Sequence, residues 1–240
     1  LSSATDVNNT AVGFQAGAAV TTGQQNVLIG ALASDALTDA DFNVAMGYAA
    51  LSSDTLGSKS TAIGHETLGG QNFSSATDSH NTAVGFQAGA SVTTGVRNTL
   101  MGSGAGDALT TGNQNTIVGE GAGSALTDGL YNVVVGRATL AVDTRGQRTT
   151  ALGYNALANQ NFTSDTVSFN TALGYEAGHD ITTGIKNTLV GYQAGDAIQD
   201  AQLAIVVGYN SGTNGTGEGN QIVIGNNLTG AGANNAKFGT

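Results

Sequence analysis

The chain has 240 residues and contains no cysteine, proline or tryptophan, which excludes a disulfide framework and thiolate metal sites. Seventeen acidic residues against seven basic ones leave a net charge of −10. Phosphates would be repelled, so no nucleic-acid partner is expected, and no apolar run approaches the roughly 18 residues of a membrane span, so no membrane insertion is expected.

One phrase recurs along the chain: an Asn-like residue, Thr or a β-branched residue, two apolar residues, then Gly. Its glycines are Gly13, Gly30, Gly47, Gly64, Gly85, Gly102, Gly119, Gly136, Gly153, Gly174, Gly191, Gly208 and Gly225. The interval is 17 residues, except for 21 from Gly64 to Gly85 and from Gly153 to Gly174. A fixed period of this size is the signature of a repeat architecture. The 37 glycines would otherwise suit a disordered chain, but here the apolar residues keep strict register. The predicted fold is all-β: one parallel β-solenoid domain over residues 1–240, in about 13 coils too short to hold a helix. At ~4.8 Å per coil the stack would measure roughly 60 Å.

The coil reads as follows, in chain order. Four residues before the glycine stands Asn in nine of thirteen coils, Asn9, Asn26, Asn43, Asn81 and Asn98 among them. Stacking predicts an Asn ladder, each amide bonded to the next. Three before stands Thr or a β-branched aliphatic, such as Thr10, Val27, Val44 and Thr61. The last two positions are apolar in every coil, as in Leu28-Ile29, Leu100-Met101 and Val206-Val207. Neighbours on a strand face opposite sides, so this strand is expected to bury both faces, as in a parallel sheet covered on both sides. One face serves the coil's own interior; the nearest cover for the other is another copy of the chain. The glycine turns the corner with positive φ or admits close backbone approach.

After the corner come a small residue (Ala16, Ala33, Ala50, Ala88) and a second predicted strand, at Val20-Thr21-Thr22-Gly23, Val92-Thr93-Thr94-Gly95 and Ile181-Thr182-Thr183-Gly184. Two coils invert its sizes. Leu51 with Asp54, and Leu140 with Asp143, carry the large group four rather than seven residues after the corner, conserving volume. The 21-residue coils also have this early Leu (Leu68, Leu157), add Phe73 and Phe162, and should push their extra residues outward as loops near 69–80 and 158–169. These two coils are 89 residues apart, and Asn81–Phe86 realigns with Asn170–Tyr175. Ser2–Asp6 repeats Ser74–Asp78, so the chain is read as starting mid-coil, with more protein before Leu1, because solenoid ends need caps. Asn235–Gly239 reads as a fourteenth phrase after only 14 residues, making 226–240 a shortened terminal coil.

The phrase Asn-Thr-Ala-Leu-Gly-Tyr-Glu-Ala-Gly (Asn170–Gly178) resembles repeats of phage tail-fibre and surface-fibre proteins, of the kind that precede an endosialidase-type intramolecular chaperone. Asn81-Thr82-Ala83-Val84-Gly85 and Gln221-Ile222-Val223-Ile224-Gly225 are similar to the head repeats of YadA-like trimeric adhesins, although the 17-residue period is longer than theirs. The resemblance implies a left-handed β-roll, assembled as an intertwined or side-by-side homotrimer. It also implies a non-catalytic structural and receptor-binding fibre segment that attaches to a host cell surface, on a virion tail fibre or otherwise extracellular. Its partners would be itself and a cell-surface glycan or other surface receptor. The alternative is the head domain of a bacterial trimeric autotransporter-type adhesin. From other classes come an ice-binding solenoid, suggested by the Thr pairs, and a polysaccharide depolymerase.

No catalytic residue, cofactor or metal ligand is read from the pattern. His65, His80 and His179 have no partner at metal-ligand spacing. Asp35, Asp39, Asp41, Asp196 and Asp200 read as turn residues. An aromatic ladder follows the corner at Phe14, Tyr48, Phe86, Tyr154, Tyr175, Tyr192 and Tyr209, read first as a trimer seam. The candidate glycan-contact residues are Tyr154, Tyr175, Tyr192 and Tyr209, with Phe73 and Phe162 from the two loops, because solenoid insertions gather on the binding face.

Overall fold

The computed structural model describes residues 7–213, 215, 217 and 219–239; the mid-coil start read over Leu1–Asp6 lies outside them. The chain divides into two compact units, Leu1–Asn115 and Thr116–Thr240. Both are parallel β-solenoids, and no helix occurs among the described residues.

The first unit contains β1 (Thr10–Val12), β2 (Val27–Ile29), β3 (Val44–Met46), β4 (Gly57–Ser58), β5 (Thr61–Ile63), β6 (Thr77–Asp78), β7 (Thr82–Val84) and β8 (Thr99–Met101). One strand per coil joins the main sheet, in the order β1-β2-β3-β5-β7-β8. The pairing sets Thr10 beside Val27, Ala11 beside Leu28 and Val12 beside Ile29, so the register equals the sequence period. The second unit contains β9 (Thr116–Val118), β10 (Val133–Val135), β11 (Gly146–Gln147), β12 (Thr150–Leu152), β13 (Thr166–Val167), β14 (Thr171–Leu173), β15 (Thr188–Val190), β16 (Ile205–Val207), β17 (Ile222–Gly225) and β18 (Ala236–Gly239). Its main sheet runs β9-β10-β12-β14-β15-β16-β17-β18. Ile222 pairs with Ala236, a 14-residue step that matches the short last coil read from the sequence.

In the main-sheet strands from β2 to β17 the second residue points inward. Leu28, Ala45, Ala62, Leu100, Ile117, Val134, Leu189 and Val206 are fully or almost fully buried. They meet the small residue after the corner (Ala33, Ala50, Ala88, Ala122) and the large one beyond it (Leu37, Val92, Leu109, Leu126, Ile181, Ile198), all buried. All thirteen corner glycines have φ between 131° and 156°, a region closed to side chains. A methyl group on Gly153 would also run into the carbonyl oxygen of Gly174 in the next coil. Conformation and stacking therefore both demand glycine at the corner.

The Asn ladder forms, with a fuller bonding pattern than amide to amide. Asn26 Oδ1 accepts the backbone N–H of Asn43 at 2.9 Å, while its Nδ2 donates to Ala40 O at 2.8 Å. Asn98 does the same with Asn115 N–H (3.0 Å) and Gly112 O (2.8 Å). Amide-to-amide bonds are present as well, from Asn26 Nδ2 to Asn9 Oδ1 and from Asn115 Nδ2 to Asn98 Oδ1. Each amide closes buried backbone groups that no ladder partner reaches, worth about 1 kcal/mol net per bond.

The second strand of the regular coil does not form. Thr21 N–H, Thr22 N–H and Gly23 N–H all point at the single carbonyl of Thr38, and three N–H groups of Thr182–Gly184 share Gln199 O. A β ladder needs alternating donors and acceptors; a carbonyl shared by three donors makes a bend instead. The Thr hydroxyl joins the same acceptor, Thr21 to Thr38 O at 3.1 Å and Thr182 to Gln199 O at 3.2 Å. Among the described residues a second ladder of paired strands forms at the bulges, where β4 pairs with β6 and β11 with β13.

The bulged coils and the coils just before them fill their interiors differently. Leu51, Leu68, Leu140 and Leu157 are buried as the size exchange predicts, yet Asp54, Gln71, Asp143 and Gln160 are buried too. Asp54 Oδ1 accepts the N–H groups of Gly57 (3.0 Å) and Phe73 (3.3 Å), and its Oδ2 accepts Gln71 Nε2 at 2.6 Å. Gln71 Oε1 in turn accepts Asn81 Nδ2 at 2.8 Å. The second bulge repeats each link through Asp143, Gly146, Phe162, Gln160 and Asn170. Burial pushes both carboxyls above the usual range, and the hydrogen bonds from Gln, the Gly57 and Gly146 N–H groups and the Phe N–H partly offset it.

Candidate functional site

The two outward rows of the main strand remain open in the single chain. Residues just before the corner include Val12 (58% exposed), Met46, Met101, Leu173 (48%) and Ile224. In the row two residues earlier, Val133 and Ile205 are exposed. The row just before the corner is thus apolar in every coil of each unit and wholly or partly open, whereas the row two residues earlier is Thr in most coils.

The aromatic ladder borders the apolar row. In the second unit Tyr154, Tyr175, Tyr192 and Tyr209 stack face to face, with centroids 5.2, 5.2 and 5.0 Å apart and planes within 13°. In the first, His65 stands between Tyr48 and Phe86 at 5.1 and 5.3 Å. Strand spacing sets these distances: one aromatic per coil at one position cannot avoid stacking. Arg137 covers the outer face of Tyr154 at 5.8 Å and pairs with Glu120 at 3.0 Å. The hydroxyl of Tyr175 is held by Glu176, which raises its pKa. A sugar ring stacks on an aromatic face, but in the second unit both faces of Tyr175 and Tyr192 are taken by neighbouring rings, and Tyr154 lies between Tyr175 and Arg137. The ladder therefore offers mainly edges and hydroxyls to solvent, with Tyr209 stacked on one side.

Phe73 and Phe162 are not surface residues. They are 5% and 6% exposed, and their N–H groups bond the buried Asp54 and Asp143. Turned inward as plugs of the bulged coils, they are withdrawn from the glycan-contact set. The loops themselves bulge outward as expected, with residues 74–76 and 163–165 exposed. The second loop borders a shallow depression reached by Thr163, Ser164, Thr166, Thr183 and Ile185.

One cluster escaped the spacing search. His179 Nδ1 lies 2.7 Å from Asp180 Oδ1 and 3.9 Å from Asp196 Oδ1, and these groups offer ligand atoms within 4.8 Å of one another. Imidazole with two carboxylates is a donor set for a divalent transition metal. The legible signal was the 17-residue step from His179 to Asp196, which places both at one register position. The groups are half-exposed and already bond one another, and Asp180 also accepts Asn159 Nδ2 at 3.2 Å. Burial, then the charge of Asp180, raises the Asp196 carboxyl.

No family of known proteins, curated protein or solved structure matches the chain.

Proposed function

We propose that this chain is a structural and receptor-binding segment of a surface fibre, a phage tail fibre or a similar extracellular fibre, and that it assembles as a homotrimer. The observation that carries this is the open stripe of Val, Ile, Leu and Met beside the main strand, flanked by stacked tyrosines. Exposed apolar area of this continuity marks an interaction surface. Its pitch equals that of the sheet, so another copy of the same chain in the same register would match it row for row. The tyrosine ladder, with its ring faces already stacked, suits a seam of this kind.

A non-catalytic role is supported by the state of the buried carboxylates. Asp54 and Asp143 are each enclosed by donors from their own coil and from the next. The Thr hydroxyls that suggested an ice-binding face are engaged in coil-to-coil bonds. Light scattering on the purified chain tests the assembly. A mass of three chains is expected, and Leu173→Lys with Val190→Lys should reduce it to one while leaving the circular dichroism of the coil intact. A monomeric mass for the unaltered chain would overturn the trimer.

A further inference from the structure

A second outward row lies five residues before each corner glycine. In the second unit it runs through Tyr131, Arg148, Phe169, Lys186 and Leu203 to Asn220, all exposed. Each has a left-handed backbone, with φ from 49° to 61°, a conformation that Gly or Asn adopts at less cost. The backbone is pinned there: Arg148 N–H donates to Leu130 O at 2.9 Å and Lys186 N–H to Ser168 O at 2.7 Å. Neither the core nor the backbone asks for cations and aromatics at these positions.

The Arg148 guanidinium lies between two rings, 5.3 Å from the centroid of Tyr131 and 5.9 Å from that of Phe169. The rings flank it on both sides, and the residue as a whole is exposed. Lys59, Arg137 and Arg145 all pair with carboxylates. Arg148 and Lys186 have no ion-pair partner among the described residues. Of seven basic residues in a chain of net charge −10, four stand on this row: Lys59, Arg97, Arg148 and Lys186.

The pattern also occurs twice. Shifted by 89 residues, Phe42, Lys59, His80 and Arg97 of the first unit match Tyr131, Arg148, Phe169 and Lys186: aromatic, cation, aromatic, cation. Some other exposed positions change under the same shift, Tyr48 to Arg137 and Ser53 to Val142, while others such as Thr93 and Thr94 recur, as Thr182 and Thr183. What the repeat has kept on this row is its chemistry.

We propose that the Tyr131–Arg148–Phe169–Lys186 row binds a linear acidic polysaccharide carrying one carboxylate or sulfate per disaccharide. This names the ligand class of the attachment reading above and rests on it. The two cations stand two coils apart, ~9.6 Å at the spacing of a sheet. A pyranose ring along its linkage axis is comparable in length to one coil, so alternate acidic sugars meet Arg148 and Lys186 while the neutral sugar crosses Phe169. The ring-held guanidinium receives a carboxylate or sulfate through two parallel N–H bonds. A nucleic-acid strand fits less well. It carries a phosphate every 3.4 Å or so, and most of these would face the acidic remainder of the chain.

The test uses the whole chain and four probes in fluorescence anisotropy: hyaluronan and chondroitin sulfate oligosaccharides, a neutral dextran oligosaccharide of equal length, and oligothymidylate. At least one acidic glycan should bind, more weakly as salt is raised, and dextran should not. Arg148→Gln with Lys186→Gln should lower the affinity about tenfold or more, with melting temperature and mass unchanged. Phe169→Asn suits the left-handed backbone and should lower it roughly two- to fivefold, through one lost ring–cation contact. The proposal is overturned if neither acidic glycan binds, if dextran binds equally, if the double variant binds as the unaltered chain does, or if oligothymidylate binds more tightly. Light scattering on the same samples separates the two readings: a trimer without glycan binding defeats only this site, and a glycan-binding monomer defeats only the fibre.

Discussion

The regular and bulged coils solve one packing problem in two ways. In a regular coil the interior position seven residues after the corner holds Val92, Leu109, Leu126, Ile181 or Ile198. In the bulged regions the same position holds Asp54, Gln71, Asp143 and Gln160, equally buried. The apolar solution needs only volume. The polar one needs a closed set of bonds, and it has one: a carboxylate takes two backbone N–H groups and an amide, and that amide takes the next. The orphans it serves, the N–H groups of Gly57 and Phe73, arise because four extra residues leave the stack. A bulge thus sets free backbone donors, and a buried acceptor answers them. What the coils share is the corner, where no alternative to glycine is open.

The corner is where breaking either kind of coil should do most damage. Gly153→Ala at a bulged coil and Gly119→Ala at a regular one both place a methyl against the next coil's backbone at φ near 137°. Each should lose about 3 kcal/mol or more in urea unfolding, from strained backbone plus collision. Gly121→Ala is the control: its φ is +61° and nothing lies within 4 Å of the added methyl, so about 1 kcal/mol is expected. Equal losses at Gly121 and Gly153 would refute the close-stacking account.

Next in size is the polar interior. Asp54→Asn keeps the shape but sets an NH₂ group against Gln71 Nε2. Gln71 cannot turn round, because its other end already accepts from Asn81. A loss of about 2–3 kcal/mol is expected from the buried donors left facing one another. The regular-coil counterpart, Asn98→Leu, strands Asn115 N–H and Gly112 O and should lose about 2 kcal/mol. If Asp54→Asn proves neutral in urea unfolding, the network is not the support of the bulge.

The same carboxylates set a pH dependence that the regular coil interior lacks. Burial raises the folded pKa of Asp54 and Asp143 above 3.8. The folded chain then holds protons that the unfolded chain has lost. Their contribution is full below the unfolded value and disappears as pH rises through the folded value. A neutral carboxylic acid keeps an oxygen at both positions, so its acceptor bonds survive protonation. Calorimetric melting temperature should therefore rise as pH is lowered from 7 towards 4. Asp54→Asn with Asp143→Asn should flatten part of that rise; an unchanged slope would show that these two groups do not supply it.

Much of this was legible in the sequence, and the misses share a cause. The 17-residue register, the positive corner φ and the Leu51/Asp54 exchange all follow from positions counted along one coil. The second strand failed because the choice between ladder and bend depends on how many donors share Thr38 O. Phe73 and Phe162 were misplaced because an insertion was read as wholly outward, whereas its first aromatic turns in to close the gap it makes. The row through Arg148 went unread because a left-handed residue before the Asn breaks the two-residue alternation that guides the eye along a strand.

The smallest effect tests whether the bend of the regular coil is held as firmly as the paired ladder of the bulge. Thr93 Oγ1 donates to Thr110 O at 3.2 Å, joining N–H groups of Thr93 and Gly95 on one carbonyl. Thr55 Oγ1, before the first bulge, reaches Phe73 O at 3.2 Å and Asn72 Oδ1 at 3.1 Å. Valine keeps the shape of threonine and removes only the hydroxyl. At Thr93 the carbonyl retains its other donors, so the loss should be about 0.5 kcal/mol, the low end for an exposed hydrogen bond. At Thr55 the hydroxyl has two acceptors, and the loss should be about 1 kcal/mol. Hydrogen exchange of the Gly95 and Gly57 amides localises each effect to its own coil. Faster exchange at Gly95 in the Thr93 variant than at Gly57 in the Thr55 variant would mean that the bend leans on its hydroxyl more than the bulge does, and that the shared carbonyl is the weaker of the two joints.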